Sequence, residues 1–161
     1  MSFIKKLKLH NYKRFKELEL ELDKELNVLI GDNESGKTTI LEAINLTISG
    51  KKKKIDSLYL ESIFNYEVIN QFLQSDRKYD NLPKLFVELY FNEQNEPNLF
   101  GQNNSEKRDF DGLRFECVPN DDLSKEVNDI ISVDECIFPF EYYSINYFTF
   151  AGESYTGYRP F

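Results

Sequence analysis

The sequence is poor in the residues on which much metal and covalent chemistry depends. It has one histidine, His10, and two cysteines, Cys117 and Cys136, in 161 residues. Chemistry built on paired histidines is therefore excluded. Neither cysteine lies at a metal-binding spacing from another Cys or His, so we predict two free, small buried thiols in a reducing compartment and no disulfide.

Long apolar runs are also missing. No stretch approaches the roughly 20 residues needed to cross a bilayer, and the N-terminus lacks the apolar core of a signal peptide. We therefore predict a cytoplasmic protein. The net charge of -8 argues against a protein whose whole surface wraps nucleic acid. The one basic run, residues 51–54, is expected to be a solvated loop after a helix, and contact with a phosphate backbone is the alternative.

Residues 31–38 read Gly-Asp-Asn-Glu-Ser-Gly-Lys-Thr and match the phosphate-binding P-loop motif at every fixed position. Gly31 and Gly36 let backbone N–H groups approach phosphate oxygens, because a Cβ there would block the approach. Lys37 supplies a positive charge for the β and γ phosphates, and the Thr38 hydroxyl can bind the bridging Mg²⁺. We predict an ATP and Mg²⁺ site with Lys37 as its catalytic residue. The backbone amides expected to hold the phosphates belong to Asn33, Glu34, Ser35, Gly36, Lys37, Thr38 and Thr39.

The residues on either side of this motif have the pattern that a P-loop needs. The apolar run at 26–30 predicts a short buried parallel strand that leads into Gly31. Apolar residues at helical spacing after the motif predict a helix that ends at Ser49-Gly50. Together they predict an α/β fold, a P-loop NTPase with a mixed β-sheet and flanking helices, in one domain over residues 1–161.

Hydrophobic periodicity predicts the other elements of this domain. Strands are predicted at 7–9, 18–22, 85–91, 113–118 and 142–150. Two short helices are predicted within 55–75, with Ile63, Tyr66, Ile69 and Leu73 on one apolar stripe, and another helix is predicted to start at Asp121.

Two acidic segments could be interpreted either as metal-binding motifs or as ordinary secondary structure. Asp134 and Glu135 follow an apolar run and imitate a Walker B strand, whose acids would hold Mg²⁺ and activate water. Ile130 and Ile131 fit the preceding helix better, so a helix is predicted there. Asp109 and Asp111 have the spacing of paired metal ligands, but they lie in a polar loop that ends in glycine, so a turn is predicted.

Several of these segments resemble the ABC-type ATPase heads of the RecF and SMC group. The resemblance lies in Asn-Tyr-Lys-Arg-Phe at 11–15, in the run at 26–30 and in residues 31–44. Residues 32–35, Leu82-Pro83 and residues 141–152 are similar, more narrowly, to the OLD (overcoming lysogenization defect) family of ATP-dependent endonucleases. The resemblance implies the N-terminal lobe of an ABC-type head.

The resemblance also implies residues and partners. In that group the basic residue of the Asn-aromatic-basic turn contacts nucleotide, which implies this role for Lys13 with Arg14 beside it. Two exposed basic residues in a hairpin are the alternative. The resemblance further implies bound ATP and Mg²⁺, a homodimer with ATP between two heads, and DNA as a partner of the full-length protein. In OLD proteins a C-terminal Toprim domain cuts DNA, in the setting of DNA repair or anti-phage defence.

Some motifs of these families are absent from the 161 residues. The sequence has no Leu-Ser-Gly-Gly signature, and it ends at Pro160-Phe161 without a capping element. We expect the N-terminal part of a longer protein, with the Walker B strand, the signature and any nuclease domain elsewhere. Two other functions stay open: a RecF-like or SMC-like clamp that tethers DNA without cutting it, and a nucleotide-binding regulatory module that does not hydrolyse ATP.

Overall fold

A computed structural model describes residues 2–31, 36–51 and 57–157. The strands are β1 (Ile4–Tyr12), β2 (Phe15–Glu21), β3 (Leu85–Phe91), β4 (Phe100–Gly101), β5 (Phe110–Pro119) and β6 (Tyr143–Thr149). They form a sheet in the order β2-β1-β3-β5, and β4 and β6 both pair with β5. Each of these strand pairs is antiparallel.

Helices cover one face of this sheet and its end. They are α1 (Lys37–Ser49), α2 (Ser57–Ile63), α3 (Tyr66–Leu73) and α4 (Ser124–Ile131), with single 3-10 turns at Tyr79–Asn81, Asp121–Leu123 and Phe140–Tyr142. α1 ends at Gly50, whose φ of 52° is the left-handed conformation that glycine adopts without strain. In the ranges given above, no helix is long and apolar enough to cross a membrane.

The core lies between α1 and the sheet. Alternation along the strands places apolar side chains on this face, as period-two patterning requires. The apolar strand residues with no exposed surface are Leu7, Leu9, Leu85, Val87, Leu89, Leu113, Phe115 and Cys117. α1 covers them with Ile40, Ala43 and Thr47. A second set of packed rings, including Phe64, Phe138 and Phe140, fills the space next to α2.

The opposite face of the sheet carries a buried polar network. Glu88 on β3 is fully buried and forms an ion pair with Arg114 on β5. The Ser105 N–H and hydroxyl each donate to the Glu88 carboxylate at 2.7 Å, so a loop of the β4–β5 connection lies over this face. Glu106 in the same loop forms ion pairs with Lys6 and, at 2.8 Å, with Lys8. The loop therefore neutralises the charges that the sheet presents there.

Most of the predicted elements are confirmed. Five of the six predicted strands correspond to β1, β2, β3, β5 and β6, and the helices after residues 36, 55 and 121 are present. Both cysteines are free, and Cys117 is buried as predicted, whereas Cys136 is only half-buried. Burial raises the pKa of the Cys117 thiol, which suits an inert structural cysteine.

The predicted parallel strand at 26–30 is wrong for the described residues. That segment has no strand pairing, and Leu26 and Ile30 are 73% and 88% exposed. A buried parallel strand needs a parallel neighbour, whereas the strands described here pair only in the antiparallel sense. The sequence predicts a mixed sheet, but in the described residues the sheet is antiparallel throughout.

Two smaller predictions also differ from the structure, and one alternative is decided by it. Tyr66, predicted on the apolar stripe of α3, is 78% exposed, because it is the first residue of that helix and lies off its buried face. Asp111 is in β5 rather than in a turn, since strand pairing with Phe100 outweighs the local turn signals. Asp134 and Glu135 follow the end of α4 in an exposed turn, so the Walker B alternative is wrong and the predicted helix is confirmed.

Candidate functional site

The N-terminus of α1 offers backbone N–H groups that no side chain caps. The helix starts at Lys37, directly after Gly36, with no side-chain cap hydrogen bond and no acidic residue in its first turn. The first intrahelical bond runs from the Ile40 N–H to the Gly36 carbonyl at 3.0 Å. The N–H groups of the first turn have no partner within a helix, and the helix dipole makes this end positive. Such an end suits an anion, and phosphate in particular.

The two side chains predicted to act on phosphate and Mg²⁺ lie at this end. Lys37 is half-buried, and its Nζ donates to the carbonyl of Gly31, so the side chain reaches back across the loop to its first residue. Thr38 is exposed, and Thr39 is half-buried one position further on. An uncapped helix end, an ammonium and an exposed hydroxyl fit ATP with Mg²⁺. The predicted contacts of residues 32–35, which include Asn33, Glu34 and Ser35, lie outside the described residues.

The β1–β2 turn packs directly on the P-loop. A Cβ at Gly36 would lie 2.6 Å from Phe15 Cζ and 3.0 Å from Arg14 Cδ, and the φ of Gly36 is 87°. Position 36 therefore needs glycine both for its left-handed backbone and for the close approach of the turn. The turn that the family resemblance singled out therefore lies against Gly36, the second glycine of the motif.

Lys13 is anchored at three points. Its φ of 48° lies in the left-handed region, and its N–H donates to the Ile63 carbonyl at 2.6 Å. The Asn65 side chain donates to the Lys13 carbonyl at 2.8 Å. The Lys13 ammonium forms an ion pair with Glu42 on α1. The backbone of this turn is thus held by the junction between α2 and α3, while Arg14 stays exposed.

A cavity of about 510 Å³ opens beside this ion pair. Lys13 and Glu42 form part of its wall, and Tyr12, Asn45 and Tyr59 contribute to the rest. Burial raises the pKa of the Tyr12 and Tyr59 phenols, so both remain protonated at neutral pH. The cavity therefore offers hydroxyl and amide groups next to one ion pair.

Sequence reasoning missed three residues that build this site: Phe15, Glu42 and Asn65. Asn65 had a local signal, because an Asn before a helix with an acid in its first turn is typical of an N-cap. Its side chain accepts from the Val68 N–H at 3.1 Å. Glu42 had no local signal, since its partner Lys13 is 29 residues away in sequence. In the part of the chain that the structure describes, no group of three or more His, Cys, Asp or Glu side chains could hold a metal ion.

The sequence is similar to those of several known proteins. A family model described as AAA domain matches residues 6–154. DNA replication and repair protein RecF of Clostridium kluyveri is 46% identical over 52 residues, which cover 32% of this chain and 14% of that protein. RecF of Rickettsia akari is 43% identical over 76 residues, 45% of this chain and 21% of the relative. RecF of Rickettsia canadensis is 53% identical over 49 residues, which cover 30% of this chain and 14% of that protein. The matches thus span about a fifth or less of these relatives.

Proposed function

Because the chain belongs to the AAA domain family and is a P-loop ATPase domain of the RecF/SMC type, we propose that it binds ATP with Mg²⁺ at the N-terminus of α1. The single observation that carries this proposal is the uncapped start of α1 at Gly36-Lys37, free of acidic residues in its first turn. A helix end of this kind attracts the phosphates, and the motif residues supply the groups that bind them.

Each residue of the site has a distinct part in this proposal. Lys37 neutralises charge on the β and γ phosphates, and the Thr38 hydroxyl is a ligand of Mg²⁺. The Mg²⁺ ion, when bound, offsets the negative charge between those phosphates. The backbone amides from Asn33 to Thr39 cradle the phosphates. Lys13 and Arg14 bring two further positive charges from the turn that packs on Gly36.

We further propose that residues 26–30 form a strand only when a segment outside the 161 residues pairs with them. The run is apolar, leads into Gly31, and exposes Leu26, Val28 and Ile30 by 73%, 65% and 88%. Exposed apolar runs of this kind are typical of surfaces that another segment covers. The chain would then be the N-terminal lobe of an ABC-type head, and the Walker B strand and signature would lie in the covering part. Two copies would sandwich ATP in a homodimer.

The full-length protein is proposed to act on DNA. The relatives are named as DNA replication and repair proteins, and the resemblance to OLD proteins adds an ATP-dependent endonuclease as the more specific form. A RecF-like or SMC-like clamp that does not cut DNA is the alternative. Incubating the full-length protein with plasmid, ATP and Mg²⁺ separates the two, because only the nuclease produces cut DNA.

Calorimetric titration tests the ATP site itself. We expect Mg²⁺-dependent binding of ATP by the 161-residue chain with little turnover. Lys37→Ala should weaken binding by at least about tenfold, the ratio that a lost charge-assisted hydrogen bond of about 1.5 kcal/mol represents. Lys125→Ala removes an equal charge from the exposed side of α4 and should leave the affinity unchanged. Equal affinities for the wild type and Lys37→Ala would refute the site.

A further inference from the structure

One ion pair connects the β1–β2 turn to the P-loop helix, and the function proposed above does not use it. Lys13 Nζ and Glu42 Oε2 are its partners. Both backbone polar groups of Lys13 are already held, the N–H by Ile63 and the carbonyl by Asn65. The side chain of Lys13 is therefore the part of this residue that can change partner while the turn keeps its shape.

The pair is weak enough to exchange. The two side chains are 31% and 48% exposed, and ion pairs with this exposure contribute little and are screened by salt. A bound ATP molecule brings several negative charges and strong acceptor oxygens, with which an ammonium forms shorter, stronger hydrogen bonds. Phosphate at the N-terminus of α1 therefore competes well against a single exposed carboxylate.

The two positions are close enough for this competition. Glu42 follows Lys37 by five residues, which is about 7.5 Å along a helix axis. Arg14, the neighbour of Lys13, lies beside Gly36 at the phosphate end of the same helix. The Lys13 ammonium is thus paired with a helix position about 1.4 turns after Lys37, on a flexible four-carbon stem.

We propose that Glu42 is a positioning residue that competes with ATP for Lys13. The pair is closed without nucleotide and is exchanged for a phosphate contact when ATP binds at Lys37. The proposal rests on the proposed function, because it requires ATP at the P-loop. Since the pair forms part of the wall of the 510 Å³ cavity, the exchange changes the lining of that cavity.

A double-mutant cycle on ATP affinity tests this competition. Glu42→Gln frees Lys13 and should tighten Mg·ATP binding by roughly two- to fivefold, the range of exposed ion pairs. Lys13→Gln should weaken binding, and adding Glu42→Gln to it should give no further gain. Glu67→Gln is the matched control, because Glu67 on α3 forms an exposed ion pair of the same kind with Lys16 on β2. It should leave the affinity unchanged.

The carboxyl carbon of Glu42, followed by NMR, gives a second readout that does not depend on affinity. Its signal should move when wild-type protein is saturated with Mg·ATP, and should not move in Lys37→Ala at the same concentration. A gain from Glu42→Gln that persists in the Lys13→Gln background, no gain at all, or a Glu42 signal that stays fixed at saturation overturns the exchange. If Lys37→Ala binds ATP as the wild type does, the proposed ATP site itself has failed, and the exchange fails with it.

Discussion

The ring of Phe15 lies against Gly36 so closely that no side chain can stand between them. An ideal Cβ on Gly36 would be 2.6 Å from Phe15 Cζ. Phe15 opens β2 and Gly36 precedes α1, so this contact fixes the β1–β2 turn on the P-loop. The sequence motif explains the glycine by its approach to phosphate, and the structure adds that the same glycine accommodates the turn.

Gly36→Ala should lower both stability and ATP affinity. The substitution places a Cβ at a φ of 87° and against Phe15, and we expect a loss of about 2 to 3 kcal/mol in the free energy of unfolding from strain and overpacking. Urea denaturation followed by circular dichroism measures this loss.

Gly152→Ala is the matched control for backbone strain. Gly152 has a φ of 89°, but an added Cβ there meets nothing within 4 Å. It should cost about 1 to 2 kcal/mol, the left-handed penalty alone, and leave ATP binding intact. If the two substitutions cost the same and neither affects ATP, the contact between the turn and the P-loop has no energetic importance.

Thr38→Ala should remove most of the effect of Mg²⁺ on ATP binding. The Thr38 hydroxyl is exposed at the helix end, where it can replace one water of the ion. We expect binding in the presence of Mg²⁺ to weaken by about tenfold, equivalent to 1.4 kcal/mol, and binding in EDTA to stay the same. Thr38→Ser keeps the hydroxyl and should behave as the wild type. If Thr38→Ala weakened ATP binding equally with and without Mg²⁺, Thr38 would not be a Mg²⁺ ligand and would act through packing instead.

The loop that carries Glu106 should make stability depend on pH. Burial acts to raise the Glu106 pKa, but hydrogen bonds from Lys6 and Lys8 outweigh it and the pKa is lowered from 4.5. A lowered carboxyl pKa contributes stability at neutral pH that is lost as the pH falls through the folded-state value. Glu106→Gln should therefore cost about 1 to 2 kcal/mol at pH 7, and the difference should shrink in acid.

Unfolding at pH 7 and in acid, by urea, checks this prediction. Glu61→Gln, an exposed glutamate on α2, serves as the control and should change stability little at either pH. A difference between wild type and Glu106→Gln that stays constant below pH 4.5 would show that the ion pairs to Lys6 and Lys8 do not set the stability of this face.

Sequence patterns predicted the antiparallel part of the fold well because its determinants are local. Leu7 and Leu9 alternate with lysines, and the structure buries the leucines completely while the lysines reach the other face. The run at 26–30 failed for the opposite reason. An apolar run becomes a strand only when neighbours pair with its backbone, and the described residues provide no such neighbour.

The candidate site, like the fold, could be predicted from the sequence only where its determinants are local. Gly36, Lys37 and Thr38 are predicted from the motif alone, because phosphate and Mg²⁺ binding need these residue types at a fixed spacing. The packing of Phe15 on Gly36 and the pairing of Lys13 with Glu42 join residues 21 and 29 positions apart, through contacts that depend on how the sheet and α1 pack together. Asp111 is a similar case, since pairing with β4 outweighs the turn signals of its neighbours.

The most direct test of the account is to find where ATP binds. Backbone amide NMR spectra of the 161-residue chain, recorded during a titration with Mg·ATP, report on each residue separately. The largest shifts should fall on Gly31, Gly36, Lys37 and Thr38 and extend to Arg14 and Phe15 across the contact at Gly36. Shifts that leave these residues unchanged at saturation, or that concentrate elsewhere on the sheet, would contradict the proposed ATP site.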